Sequence, residues 1–297
     1  MKVVCVGHST YDTTLPMDFY PTENLKYRIH DHIECGGGPA SNGAYLLAKW
    51  GMNTTMMCAV GDDYYGSQII KEFKDVGADT SCIEVHTGYM TPSSYIIANR
   101  SKGSRTIITS KRDPIRKLNH DGNISADLIL VDGEHPETAE AVLLANPKAI
   151  SVLDAGRLTD DTKRLGKLVT YVVCSKVFAE EFADKKIDVL DKDSLIYCYE
   201  KLRDYFQTNI IITLEDKGSF TKLDDYEVIP TVKVVAVDST GAGDIFHGAF
   251  TYFIGNGYSL KDAIHYSSIT SAISVTRVGA RISIPDLKEV LEYDELI

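Results

Sequence analysis

The sequence predicts a three-layer α/β/α fold: a mostly parallel central sheet covered by helices on both faces, with a small β-sheet lid inserted. Three observations predict it. Short apolar runs alternate with helical stretches along the chain, the pattern of strands joined by crossover helices. Two of the runs, ADLILV over 126–131 and IIITL over 210–214, are apolar almost throughout, as central parallel strands buried on both faces must be. Residues 88–109 instead alternate around a Ser101-Lys102-Gly103-Ser104 turn, which is the signature of a β-hairpin and breaks the rhythm.

Taken in order, residues 3–6 form the first strand. Residues 13–35 are too polar and irregular for a strand–helix unit and are assigned to the lid. A helix over 40–50, rich in Ala and Leu, stops at Gly51. A strand over 54–60 ends at Gly61-Asp62, and 66–76 has the periodicity of an amphipathic helix. The hairpin completes the lid, formed by about 13–35 and 88–112, and its apolar positions Tyr95, Ile96 and Ile97 are expected to face a second subunit in a homodimer. The strand over 126–131 is bounded by Asp132-Gly133, a helix over 136–145 follows, and the strand over 149–153 ends at Asp154. Further strands are expected over 168–174, 210–214 and 233–237, and a helix over 243–252 opens on glycines. No repeat or Pro/Gly/Ser linker divides the chain, so 1–297 is read as one domain carrying the lid.

Composition excludes several classes. Lys and Arg number 31 against 42 Asp and Glu, a net charge of −11, which opposes nucleic-acid binding because that needs a basic face. It leaves room for a small anion held by backbone N–H groups. No apolar run approaches the roughly 18 residues of a membrane span, and the first seven residues read as a strand, not a signal peptide. The six cysteines, at 5, 35, 58, 82, 174 and 198, form no C-x-x-C pair; free thiols in a reducing cytoplasm are expected. The P-loop, the G-x-G-x-x-G fingerprint, H-E-x-x-H and G-x-S-x-G are all absent.

Two segments carry chemistry. In Asp238-Ser239-Thr240-Gly241-Ala242-Gly243-Asp244, a small-residue turn lets backbone approach a ligand, and the helix after it aims free N–H groups and its positive dipole end at that turn. This is an anion site without a basic side chain. Asp244 at its mouth is either a helix cap or a base that takes a proton from a hydroxyl attacking phosphorus. In Gly36-Gly37-Gly38-Pro39-Ala40-Ser41-Asn42, glycines and a proline precede a helix whose first turn offers Asn42, both donor and acceptor, as a polyol requires.

Together the two segments resemble the ribokinase-like (PfkB) family of carbohydrate kinases. Gly37-Gly38-Pro39-Ala40-Ser41-Asn42-Gly43-Ala44 with Gly51 and Gly61 matches the first family signature, and 238–251 the second. Ala59-Val60-Gly61-Asp62-Asp63 with Gly66, and the tail Thr276-Arg277-Val278-Gly279-Ala280, extend the likeness over almost the whole chain. Thr91-Pro92-Ser93-Ser94, Arg105-Thr106-Ile107 and Ser175-Lys176 look most like ketohexokinase-type members. The resemblance implies a kinase that moves the γ-phosphoryl group of ATP, with Mg²⁺, to a hydroxyl of a sugar, a ketose in the ketohexokinase-type members. It implies Asp244 as base and the amides of Gly241, Ala242 and Gly243 as anion hole. It implies Asp12, at the end of the first strand, with Gly38, Asn42 and Arg105 as sugar ligands, Arg105 reaching substrate or phosphate from the hairpin. Thr213, Gly218 and Gly243 would bind the nucleotide. Asp238, Thr240, Arg277, Gly279 and Ser283 match positions that surround a K⁺ ion in some members, and Arg277 itself is the alternative built-in cation.

This sequence departs from the family in two places. Ser175-Lys176-Val177-Phe178 stands where many members have Asn-x-x-Glu, and Thr213-Leu214-Glu215-Asp216-Lys217-Gly218 carries Glu215 where the pattern has Gly. Rival readings are a kinase of a nucleoside, sugar phosphate or sugar acid, a non-catalytic sugar sensor on the same fold, and a dehydrogenase. Only Arg105, Lys111 and Arg112 are on offer to a sugar phosphate.

Overall fold

In strand β1 (Lys2–Val6), Val3 and Cys5 enter one hydrophobic core while Val4 and Val6 enter another. The two-residue period of a strand, applied to an unbroken apolar run, thus builds two cores from one sheet. The computed structural model describes residues 1–110 and 116–294. The remaining strands are β2 (Thr10–Met17), β3 (Ile33–Gly37), β4 (Asn53–Gly61), β5 (Ile83–His86), β6 (Ser93–Asn99) and β7 (Ser104–Ser110). They continue with β8 (Leu128–Val131), β9 (Ile150–Ala155), β10 (Tyr171–Ser175), β11 (Asn209–Thr213), β12 (Ser219–Lys222) and β13 (Tyr226–Ile229). A nine-stranded sheet has the order β13-β12-β11-β10-β9-β8-β1-β4-β5, and a four-stranded sheet the order β3-β2-β6-β7. In the large sheet all pairs are parallel except β11–β12 and β12–β13.

Helices α1 (Pro39–Lys49), α2 (Tyr64–Asp75), α7 (Ala242–Gly255), α8 (Leu260–Ser274) and α9 (Leu287–Asp294) cover one face. Helices α3 (Pro136–Ala145), α4 (Asp160–Leu165), α5 (Lys176–Ala183) and α6 (Lys192–Phe206) cover the other. The three-layer expectation is met. Each core is anchored by aromatics with no exposure, Phe73, Phe250 and Phe253 on the first face and Phe178 and Phe220 on the second; truncating any one to Ala removes about 3–5 kcal/mol.

The small sheet joins the two irregular segments as expected, with β2 parallel to β6 and β6 antiparallel to β7 across the 101–104 turn. Lys111 and Arg112, at the C-terminal end of the expected 88–112 lid segment, lie outside the described residues. Three placements differ from expectation. Asp12 is not at the end of the first strand but in β2, opposite Ser94 of β6. Ile96 is 1% exposed and packs inward, so the apolar pair on the outer face of the hairpin is Tyr95 and Ile108, opposite each other across the strands, while Ile107 lies on the Ile96 side; alternation puts neighbours on opposite faces. Residues 233–237 are not a strand. Pro230 follows β13 and has no N–H for a ladder, and the N–H groups of Val237 and Asp238 both turn to the Val275 carbonyl. Among the described residues no helix is long and apolar enough to cross a membrane.

Candidate active site

The parallel strands of the large sheet end along one edge, where open α/β sheets bind their ligands. Here β1 gives way to His8, β8 to Asp132, β9 carries Asp154 near its end, and β11 ends on Thr213. Helix α7 packs on β8 and β9 and starts at this edge. Its N-cap is Gly241 at φ 73. A Cβ there would lie 2.7 Å from the Ala280 side chain, so both conformation and space demand glycine. Among the described residues the N–H groups of Gly241 and Gly243 meet no acceptor, while that of Ala242 closes a turn onto the Ser239 carbonyl at 3.3 Å. Two of the three expected anion-hole donors are therefore free, and the third is weakly engaged.

Asp244 does not cap this helix. It is the third helical residue and makes no capping bond, which removes one of the two roles open to it. Instead its Oδ2 accepts from Asn42 Nδ2 at 2.8 Å. Burial, then the nearby Asp154 carboxylate, push its carboxyl above the usual range, while Asn42, His247 and Arg105 pull it back. Asn42 sits in the first turn of α1, whose N-cap Gly38 has φ 99. The Asn42 Oδ1 is buried with no protein partner.

Asp12 is 6% exposed, and its Oδ1 also has no protein partner. Its other oxygen lies 2.0 Å from where a Gly37 Cβ would stand, which explains the glycine: the β3 backbone runs directly under the carboxylate. Burial pushes the Asp12 carboxyl up to about 6, against the Ser94 hydroxyl and the Arg281 charge, which favour ionisation. Beside it the Asp132 carboxylate accepts from the N–H groups of His8 at 2.8 Å and Ala40 at 3.0 Å, tying β1 and α1 to the end of β8. His8 Nδ1 stands 3.4 Å from Glu134.

Arg105 reaches from β7 across to Ser239, donating to its Oγ at 2.8 Å. It is not merely a solvated hairpin charge; it stands at the anion-hole turn and acts on Asp244. Asp238 is 1% exposed; Thr240 donates to Oδ1 through N–H and hydroxyl, and the Gly279 N–H donates to Oδ2 at 2.9 Å. It has no ion-pair partner among the described residues. Arg277 pairs with Glu289 and donates to the Ser283 carbonyl at 3.4 Å, so its guanidinium is engaged away from Asp238. Thr213 Oγ1 donates to the Cys174 carbonyl at 3.3 Å, and Gly218 has φ 97. Between them Glu215 holds φ 55, a left-handed conformation that costs a non-glycine residue about 1–2 kcal/mol.

Sequence reasoning missed four residues. Asp132 and Asp154 each follow an apolar run that ends a parallel strand, and that position was itself the signal. His247 is 4% exposed and bonded at both ring nitrogens. Arg281, 1% exposed, crosses to Glu72 at 2.7 Å and Ser41 at 2.7 Å and stacks on Tyr45 and Phe73; it sits between two expected cation-loop residues, Gly279 and Ser283, yet faces the small sheet.

The model of the pfkB family carbohydrate kinases matches residues 1–287. A ribokinase of Staphylococcus aureus (strain COL) is 29% identical over 305 residues, covering 97% of this chain and 98% of that protein. The ribokinase structure from Thermotoga maritima is 25% identical with a TM-score of 0.81, covering 99% of each chain. That of Arabidopsis thaliana ribokinase complexed with ribose and ATP has a TM-score of 0.78 at 21% identity, covering 98% of this chain and 97% of that one.

Proposed function

The chain belongs to the pfkB family of carbohydrate kinases and is an ATP-dependent sugar kinase, and from that premise we propose that it phosphorylates a free, unphosphorylated sugar with Asp244 as general base. One observation carries the proposal. Two buried acceptors without protein partners, Asp12 Oδ1 and Asn42 Oδ1, flank an Asp244 that is bonded on one oxygen only by Asn42, at a helix N-terminus with free amides. Sugar hydroxyls donate to the first two. The acceptor hydroxyl gives its proton to Asp244 as its oxygen bonds to the γ-phosphorus and the bond from that phosphorus to ADP breaks. The amides of Gly241, Ala242 and Gly243 receive the charge on the transferring group, and Arg105 adds a positive charge from the small sheet, which acts as the lid. Thr213, Gly218 and Gly243 line the nucleotide side.

Among the described residues no group of three or more His, Cys, Asp or Glu side chains forms a metal cage. Mg²⁺ accordingly belongs to the ATP it accompanies, where it neutralises phosphate charge.

The acceptor end argues against a sugar phosphate. Asp12, Asp132 and Glu134 all lie around His8, and Arg281 is already held by Glu72. Ribose is the first candidate, since the Staphylococcus aureus relative is named a ribokinase. A ketose is the second, favoured by the Thr91-Pro92-Ser93-Ser94 stretch that puts Ser94 opposite Asp12. A coupled assay of ADP release over ribose, fructose, aldohexoses, nucleosides and sugar phosphates tests this. We expect kcat/KM for a free sugar to exceed that for any sugar phosphate by at least about tenfold. A sugar phosphate or nucleoside as the best acceptor overturns the reading.

Asp238, Thr240, Arg277, Gly279 and Ser283 are proposed to flank a K⁺ ion. A buried carboxylate satisfied only by neutral donors suits a cation, and Arg277, engaged by Glu289, does not supply it. Titrating KCl into ion-depleted enzyme at constant ionic strength is expected to raise kcat/KM, with Na⁺ a poor substitute. A flat response removes the ion and leaves the kinase. The face of Tyr95 and Ile108 is proposed to pair two subunits of a cytoplasmic homodimer. Sedimentation of Ile108→Lys as a smaller species than wild type is the expected result; equal sedimentation overturns it.

A further inference from the structure

Asp154 and His247 meet below the anion hole, each side chain 5% exposed. His247 lies one turn after Gly243 on α7. Its Nδ1 is 3.0 Å from Asp154 Oδ2 and 2.5 Å from the Gly243 carbonyl oxygen, and its Nε2 is 3.1 Å from the Val173 carbonyl oxygen of β10. A neutral imidazole carries one N–H and would turn a lone pair toward an oxygen at one of these nitrogens. The doubly protonated ring donates to both carbonyls, and its charge faces Asp154 Oδ2, which takes no hydrogen bond of its own. Burial opposes that charge, but Asp154, Asp244 and the Val173 carbonyl together hold the imidazole above its ordinary range.

We infer that Asp154 and His247 form a buried ion pair that positions the Gly243–Asp244 peptide and sets the pH at which Asp244 becomes a base. The Gly243 carbonyl and the Asp244 N–H belong to one peptide plane. An imidazolium fixed on that carbonyl therefore fixes the residue that takes the proton. The electrostatic half follows from what faces Asp244: Asn42 from α1, Asp154 from β9, His247 from its own helix, Arg105 from β7 and, farther off, Asp12 from β2. Asp154 disfavours the Asp244 carboxylate and His247 favours it, so the two act on it with opposite sign. Both are positioning residues, since they act through Asp244 and its peptide. The inference rests on Asp244 being the base.

The test is the acidic limb of kcat against pH. Asp154→Asn keeps shape and an acceptor for the imidazole but removes the charge, and we expect its limb to move to lower pH by roughly one unit. His247→Asn leaves Asp154 unpaired, and its limb should move the other way. The double variant removes both charges and should return toward wild type. Opposite shifts that cancel are not produced by a merely structural pair. Imidazole NMR gives a readout besides activity: His247 is expected to be doubly protonated at pH 7 in wild type, and in Asp154→Asn to give up that proton at a lower pH than in wild type while still holding it across the acidic limb. A neutral His247 at pH 7, or limbs that coincide in all variants, overturns the inference. An Asp244→Asn enzyme that keeps its turnover overturns the base assignment and the inference with it. Loss of turnover in Asp244→Asn beside unmoved limbs overturns the inference alone.

Discussion

Asp244→Asn is expected to lower kcat by about 10²–10⁴ while the protein melts at the same temperature or higher. The substitution keeps an oxygen for Asn42 Nδ2, which now donates to Oδ2 at 2.8 Å, so the contact between α1 and α7 survives. It takes away no cap, because the carboxylate caps nothing. What it removes is the only function left to the negative charge. The sign of the stability change follows from the raised proton affinity. A carboxyl that ionises with more difficulty folded than unfolded destabilises the fold whenever it is charged, so at neutral pH the uncharged amide relieves a cost. Loss of turnover together with an unchanged or raised Tm is thus the signature of a base held in place by the fold. Initial rates at saturating sugar and ATP, with a thermal melt of the same sample, check both halves. Near-wild-type turnover would remove Asp244 from the reaction. An unfolded variant would return it to a structural role.

Much of this site was legible because its chemistry is backbone chemistry. Gly241 and Gly38 sit at positive φ, and the runs of small residues around them announce such positions before any fold is known. The central strands were legible for a similar reason: β8 and β11 are too apolar to lie anywhere but between two helix layers. Other elements hid. Helix α8 reads HYSSITSAIS over much of its length and looks like a loop by composition. Its hydroxyls are nonetheless buried, because Ser267 donates to the Ala263 carbonyl and Thr270 to that of Tyr266, one turn back. Residues 233–237, apolar enough for a strand, find no edge to pair with beyond Pro230. The Asp154–His247 and Arg281–Glu72 pairs join residues 93 and 209 positions apart (247 − 154 and 281 − 72). No local pattern encodes such a meeting. Asp12 was placed by likeness to a family, and its strand neighbours, not its own sequence context, explain its burial.

Asp12→Asn is expected to raise KM for the sugar by about 10- to 100-fold, the worth of charge-assisted hydrogen bonds, with little change in KM for ATP. The same substitution should stabilise the free enzyme, and the two effects have one cause. The folded carboxyl holds its proton up to about pH 6, against an ordinary value of 3.8. Between those values the native state binds more protons than the unfolded chain, so stability falls as pH rises through that window and stays reduced above it. At neutral pH the charged Asp12 therefore costs on the order of 3 kcal/mol in the absence of sugar. Below about pH 4 both states are protonated and the cost disappears. The Asn variant should melt several degrees above wild type at pH 7 and level with it near pH 4. Wild-type kcat/KM for the sugar should decline as pH drops below 6, because a protonated Asp12 loses acceptor strength. In Asp12→Asn that part of the decline should vanish, leaving the limb that belongs to Asp244. Sugar binding thus restores to Asp12 the partners that burial took away: hydroxyl donors replace the water it gave up on folding. Equal losses for sugar and ATP would assign Asp12 to the framework. An Asn variant less stable than wild type at pH 7 would mean that the carboxylate is satisfied within the free protein, leaving its Oδ1 no call on a sugar hydroxyl.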